Sequence, residues 1–549
     1  MKKYNTLFVV VITILLVALL TWILPVTYLQ NGFVEGDRMQ AGLINLVSYP
    51  VYTFYNFIYI LVYFLAIGGL YGLLNKTGAY RIILDKITKV VKKHELLWLI
   101  VTVLVLAIVC SFTGFTFEAL IVLPMIAAIV LLLGYDKMTA ALVTVGSISV
   151  GIIGSTFSGL VVGNFIQILK TVTYTDLIIV KAILLVLCAA VLVFNIVRHA
   201  KNVEKSNNES ESFLIPSKTS SKKIKVWPLV TSLVVFILVM IMASIDWANA
   251  FKIDFFTNLL DDIKATKVLS KYIVLTVCLL VVIYNVLISL YNKKKKKETK
   301  FMTKRRLITT ICFGVVALLA LLKVMFEDVF TVTNILTKAL ELIKVNTLID
   351  EFTFAKLLGN INAFGSWGYP DYIVWMFVLM IFVKFVYRIK LNDVIKSVGD
   401  GSRKVLYATL VVMLAYTVLM LTASHPVILT ALKPILELTD GLSVLSYPLC
   451  TFVSALLNSD FTYYQSHVLT LSYATNFFTN ANVYPLCELM TQAMYGLAIF
   501  VAPTSATLLF SLSLLDIKYT TWIKKVCLIF LEILLVVFIA FIVVSKFFI

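Results

Sequence analysis

Residues 6–26 are apolar almost without interruption, and runs of similar length recur along the whole chain. Roughly 20 apolar residues cross a bilayer as a helix. In hydrocarbon only helices and closed barrels keep every backbone group paired. Recurring runs of this length therefore point to a chain that threads a membrane many times. Composition agrees: 61% of the 549 residues are hydrophobic, against roughly 45–50% in soluble domains. A soluble catalytic domain needs on the order of 100 consecutive residues of ordinary composition, and no such block is present. The expected fold class is an all-α polytopic membrane protein of about 11 spans.

The net charge of +18 would suggest nucleic acid in a soluble protein. Here Lys and Arg cluster in short segments between apolar runs, which the positive-inside rule explains. The expected partner is the bilayer, with no nucleic acid. The basic segments fall on one side if the N-terminus is cytoplasmic and the C-terminus external, which places the protein as a multi-pass cell-membrane protein. The unbroken run Lys293 to Lys297 reads as a solvated, lipid-facing cytoplasmic loop. Seven cysteines without CxxC spacing read as small core residues rather than a disulfide or metal set. No metal and no cofactor is expected, beyond Na⁺ or H⁺ as a coupling ion.

Two interruptions stand out. Span 3, near 139–169, contains Gly151 to Gly159, with Gly154, Ser155, Thr156 and Ser158 in its middle. Glycine costs roughly 1 kcal/mol relative to alanine inside a helix. A break in hydrocarbon is tolerated only when buried in protein or lining a wet cavity. One alternative is a helix-packing face. Span 10, near 484–514, carries Ala502 to Thr507, including Thr504 and Ser505. Each broken span follows an apolar stretch with a polar tip. In 96–133 the tip runs from Ser111 to Glu118 and includes Thr113. In 441–480 it runs from Asn458 through Ser459 and Asp460 to His467. The first stretch fits two full spans or a re-entrant hairpin, and its tip favours the hairpin. The second reads as a hairpin opening from the opposite side.

Residues 1–200 thus form a first membrane repeat and 389–549 a second, inverted one. A basic linker lies at 201–226 and connecting spans with an insertion at 227–388. Paired broken helices in inverted repeats point to the binding site of a secondary transporter. Freed carbonyls would take a cation, half-helix N-termini an anion, and hydroxyls either. Candidate substrate or ion ligands are Thr113, Glu118, Ser155, Thr156, Ser158, Asn458, Ser459, Asp460, Thr504 and Ser505. Glu118 and Asp460 fit a proton carrier, a partner for a substrate ammonium, or hydrated tip carboxylates. An enzyme is disfavoured: there is no HExxH, no GxSxG and no phosphate-binding glycine loop. A membrane scaffold and a lipid-modifying enzyme are the competing classes.

Several segments carry a family resemblance. They are LTWILP at Leu20 to Pro25, IGGLYGLLNKTGA at Ile67 to Ala79, and GFTFEALIVLPMIAAIVLLLGYD at Gly114 to Asp136. LLGNINAFGSW at Leu357 to Trp367, GDGSRKVL at Gly399 to Leu406, and APTSATLLFSLSLLDIKYTTWIKK at Ala502 to Lys525 follow in order. The chain resembles the C4-dicarboxylate anaerobic carrier and YfcC-like family of the ion transporter superfamily. The resemblance implies two re-entrant hairpins in inverted repeats, an elevator-type movement, a homodimer, and cation-coupled or exchange transport of carboxylates or amino acids. One departure bears on substrate. The family's second tip is small and uncharged, whereas here it holds Asp460. With Glu118, that charge would repel an anion. The expectation is therefore a small-molecule substrate of the amino-acid class, a basic one by the same reasoning. A C4-dicarboxylate or other carboxylate is the alternative.

Overall fold

The computed structural model describes residues 5–29, 33–169, 172–205, 212–217, 224–246, 278–289, 304–324, 367–438, 445–458, 460–474 and 483–547. The chain divides into two compact units, Met1–Ile245 with Gly368–Ile549, and Asp246–Trp367. Among the described residues, nine helices are long and apolar enough to cross a membrane. The chain is a polytopic, overwhelmingly helical membrane protein.

The first unit opens with α1 (Asn5–Ile23). A short antiparallel pair follows, β1 (Thr27–Leu29) and β2 (Phe33–Glu35), with Tyr28 opposite Val34. This small hairpin is a departure from the all-α expectation. Hydropathy predicts one span over 52–75; the structure has two helices there, α2 (Leu43–Asn56) and α3 (Ile58–Thr77). Phe57 between them, at φ −116° and ψ 27°, leaves the helical path. Gly78, at φ 66°, turns the chain into α4 (Ala79–Val91). The segment from Lys76 to Lys93, whose six basic residues predict a cytoplasmic loop, is thus largely helical. It buries Tyr80, Ile83 and Leu84 and leaves most of its lysines outward.

Next come α5 (Glu95–Thr113), a short 3-10 helix (Phe117–Val122), and α6 (Leu123–Leu132). α5 is long enough to cross by itself, and its return arm is shorter. In the connection to α7 (Lys137–Ile153), Asp136 caps the helix by accepting from the Thr139 amide at 2.9 Å. Partial burial works against ionisation there. The hydrogen bonds from His199 and Thr139 prevail and hold its carboxyl near 2. α8 (Val162–Ile168), α9 (Ile178–Asn202) and α10 (Trp227–Ser244) complete the first half.

The second unit contains α11 (Cys278–Ser289) and α12 (Lys304–Val324). The sequence pattern at 328–355 predicts an external amphipathic helix, and Asp254, Asp261 and Asp262 predict an external loop; these segments and the lysine run at 293–297 lie outside the described residues.

The first unit resumes with α13 (Tyr369–Tyr387) and α14 (Leu391–Ser424). The basic residues from Arg388 to Lys404 predict a cytoplasmic loop before a span at about 406–424; α14 absorbs that loop from Leu391 onward, together with the span, into one helix of 34 residues, about 51 Å at 1.5 Å per residue. Then follow α15 (Ile428–Leu438), α16 (Ser446–Leu457), α17 (Phe461–Ala474), α18 (Tyr484–Val501), α19 (Ala506–Leu515) and α20 (Tyr519–Ser545).

The same order recurs in the two halves: a polar-tipped helical hairpin, a broken helix, then a long span. α5 to α9 give it once and α16 to α20 give it again. Burial separates their roles. In α7 every residue from Thr139 to Ile153 is buried, and in α18 every residue from Leu486 to Phe500. α1, α5, α9, α10 and α20 bury only about a third of their spans and expose Leu, Ile, Val and Phe. Apolar surface on that scale faces lipid rather than water. The glycines of α3 serve packing, as a small-residue face does in membranes. A Cβ on Gly72 would lie 2.1 Å from the Ser397 carbonyl oxygen, and one on Gly401 2.1 Å from that of Gly68.

Candidate functional site

α7 ends where its own glycines end it. Gly154 donates to Val150 O at 3.2 Å and the helix then opens. The freed groups bond to the tip of the first hairpin. Thr156 N donates to Ser111 O at 2.8 Å, and Ser111 Oγ donates to Gly154 O at 2.5 Å. Ser155 Oγ and Thr156 Oγ1 also point at Ser111 O, at 3.3 and 3.4 Å. Ser158 Oγ donates to Thr113 O at 3.1 Å and accepts from Val161 N. Thr113 places its own hydroxyl on Val109 O, inside α5. An open backbone buried in apolar surroundings needs such partners, at several kcal/mol per missing bond.

Gly114 makes the approach possible. Its φ of +71° is left-handed, and a Cβ there would stand 1.9 Å from Ser158 Oγ. Gly114→Ala is expected to cost about 1–3 kcal/mol through positive-φ strain and overpacking. The Ser158 hydroxyl must swing away and give up Thr113. Thermal unfolding of the purified protein in detergent measures this, and an unchanged melting temperature would contradict it.

The second break repeats the plan with different residues. Thr504 Oγ1 donates to Leu456 O in the second hairpin at 2.8 Å. Ser505 caps α19, its hydroxyl accepting from Leu508 N at 3.3 Å. Asn458 ends α16 with its side-chain amide on Ser454 O at 2.8 Å. Ser459 lies outside the described residues.

The two tip carboxylates are both buried and both engaged by nearby donors. Glu118 Oε2 accepts from Thr116 N at 2.8 Å and Thr116 Oγ1 at 3.1 Å. Asp460 Oδ1 accepts from Thr462 N at 2.9 Å at the start of α17. Each carboxylate thus already carries hydrogen bonds to a backbone amide. His467 Nδ1 lies 3.2 Å from Ser454 Oγ.

The two broken helices meet. Gly496 of α18 sits against α7 so closely that a Cβ would be 2.8 Å from Ile153 N and 2.9 Å from Ser149 O. Ser149 Oγ donates to Gly496 O. One turn earlier, Gln492 Nε2 donates to Ser155 O at 3.1 Å, a carbonyl the first break has freed. One turn earlier again, Glu488 Oε2 lies 2.8 Å from Lys181 Nζ of α9, with both side chains fully buried. Positions 488, 492 and 496 form one stripe of α18 at four-residue spacing. That stripe faces Lys181, Ser155 and Ser149 of the first half.

Sequence reasoning missed Lys181, Glu488, Gln492, Ser111 and Ser149. Lys181 and Glu488 each lie about one turn inside a predicted span, where a charge reads as snorkelling to the interface. The signal that finds them is the rule that an ionisable residue within a span is functional until shown otherwise. Among the described residues no group of three or more His, Cys, Asp or Glu could hold a metal ion.

A many-spanning helical protein with two interrupted helices meeting in its core belongs to the class of membrane carriers. The chain belongs to the C4-dicarboxylate anaerobic carrier family, which it matches over residues 4–343 and 289–546. No curated protein matches it. The solved YdaH transporter of Alcanivorax borkumensis is similar at a TM-score of 0.38 and 12% identity, over 99% of this chain and 98% of that one. So low a score leaves the arrangement to be argued from this chain alone.

Proposed function

We propose that the protein is a secondary carrier of C4-dicarboxylates, driven by coupled Na⁺ or H⁺ or by exchange for a second anion. The family match over nearly the whole chain is the observation that carries this reading. The amino-acid expectation rested on Glu118 and Asp460 as charges in want of a cation, and both carboxylates accept hydrogen bonds from neighbouring backbone amides. Nothing in the comparisons supports an amino-acid substrate. The fully buried Lys181, paired with Glu488, has its backbone carbonyl 2.9 Å from where a Cβ on Gly154 of the first break would lie, and its ammonium is a cation that an anion could use.

Purified protein in liposomes preloaded with succinate is expected to take up labelled succinate by saturable counterflow. Counterflow with arginine but not succinate would reject the dicarboxylate reading. The double variant Thr156→Ala with Thr504→Ala removes one hydroxyl from each break. Each such bond is worth about 0.5–1.5 kcal/mol, so the pair is expected to lower uptake by roughly tenfold or more. A folded double variant with unchanged uptake would remove both breaks from the site.

A further inference from the structure

Lys181 and Glu488 hold more hydrogen-bonding capacity than they use. An ammonium has three donors and a carboxylate about four acceptor positions. Here a single contact of 2.8 Å joins them, and among the described residues neither group has a further hydrogen-bond partner. Gln492 Oε1, one turn along α18 from Glu488, is likewise buried without a partner. Gln492 Nε2 reaches Ser155 O, so these spare valences sit beside the opened backbone. Buried polar groups are nearly always satisfied, and those that are not call for a reason. A pair held only for stability gains nothing from idle donors.

Charge balance limits what can enter. Neither charge can be left alone in a dry interior, since removing one partner of such a pair costs about 3–5 kcal/mol. A carboxylate can therefore take Lys181 only if Glu488 is neutralised in the same step. We propose that Lys181 and Glu488 form an exchange site, in which a carboxylate of the transported anion replaces Glu488 on the Lys181 ammonium while Glu488 takes up one proton. This deepens the dicarboxylate reading and rests on it. Before the step the site holds one ammonium and one carboxylate. Afterwards it holds the ammonium, the substrate carboxylate and a neutral Glu488 acid. The incoming carboxylate and the incoming proton cancel, so the Lys181–Glu488 pair is neutral in both states; the second carboxylate of a dicarboxylate lies outside this balance. The proton comes from the water that delivers the anion, and returns when the ion pair re-forms.

Other titratable groups are few around Glu488. Asp176, before α9, acts on it electrostatically together with Lys181. α7 brings only Lys137, at its far end, and α19 brings none. α5 brings Cys110, buried against Gly151, and Glu95 at its start. α16 and α17 bring Tyr447 and Tyr464, both bonded to Thr491, and His467 beside Ser454. α20 brings Glu532, which accepts from Asn195, and the basic residues near its start.

The test is succinate binding to the full-length protein in detergent, by calorimetry, between about pH 7 and 9, where both succinate carboxyls stay ionised. In the wild-type protein one coupled proton makes Kd rise by up to about tenfold per pH unit. Glu488→Gln, which imitates the protonated acid, is expected to hold Kd constant within about twofold, at the wild-type low-pH value. The double variant Lys181→Met with Glu488→Met keeps the volume and leaves no charge unpaired. It is expected to melt like the wild type and bind no succinate. A Glu488→Gln protein that keeps the wild-type slope would overturn the proposal, as would a double variant that binds normally. A wild-type protein that binds succinate with no pH dependence overturns the exchange step alone. One that binds none at any pH overturns the dicarboxylate reading and the exchange with it.

Discussion

Lys181→Met alone is expected to destabilise the protein by about 3–5 kcal/mol, and adding Glu488→Met to restore most of the loss. The single variant leaves a fully buried carboxylate facing a methyl group. Its only remaining relief is to take up a proton or draw in water. The double variant removes both charges, and well-packed apolar replacements of a buried ion pair are often neutral or better. The four corners of this cycle, measured as melting temperatures in one detergent, should be strongly non-additive. Additive losses would mean that the two side chains do not depend on each other. This stability test is separate from the binding test, because a pair can be coupled in the fold without taking part in transport.

The second large effect belongs to the contact between α3 and α14. Gly72→Ala would set a methyl group 2.1 Å from the Ser397 carbonyl oxygen and 2.9 Å from Gly401 Cα. Both obstacles are backbone, so no rotamer change relieves them and the helices must part. A cost of about 3 kcal/mol is expected, at the upper end for overpacking. Gly399→Ala is the control. It lies in the same helix α14, and its added Cβ would meet nothing within 4 Å. There the usual helix preference should apply, a gain of about 0.5–1 kcal/mol. Equal effects at the two positions would refute the close approach.

Much of the fold was legible because membrane helices announce themselves by length and composition. The two breaks were legible for the opposite reason, since Gly154-Ser155-Thr156 and Pro503-Thr504-Ser505 are poor material for an apolar helix. The structure opens the chain at both. Boundaries set by local backbone geometry were not legible. Nothing in the run around Phe57 marks the division of α2 from α3, and the basic residues around Lys396 read as a loop although α14 passes through them as helix. The candidate residues were half of a pattern. Ser155, Thr156, Ser158 and Thr504 do bond to the hairpin arms and tips, but Ser111, which receives three of those bonds, reads in the sequence only as the start of a polar tip and not as a ligand. Pairings such as Lys181 with Glu488 join residues some 300 positions apart, and no single-span reading connects them.

The crossing at Gly496 has a mechanical meaning. Where two helices touch through side chains, rotamers can give, and one helix can shift without the other. Here Gly496 brings the backbone of α18 close to Ser149 O and Ile153 N of α7, with only the stem of Ile153 and the Ser149 hydroxyl beside the contact. Such a joint has no slack, so a displacement of either broken helix is handed whole to its counterpart. Lys181, Glu488 and Gln492 ride close to that joint. Cargo held among them would travel with the pair of helices as freight on one carriage, rather than being passed from one half to the other.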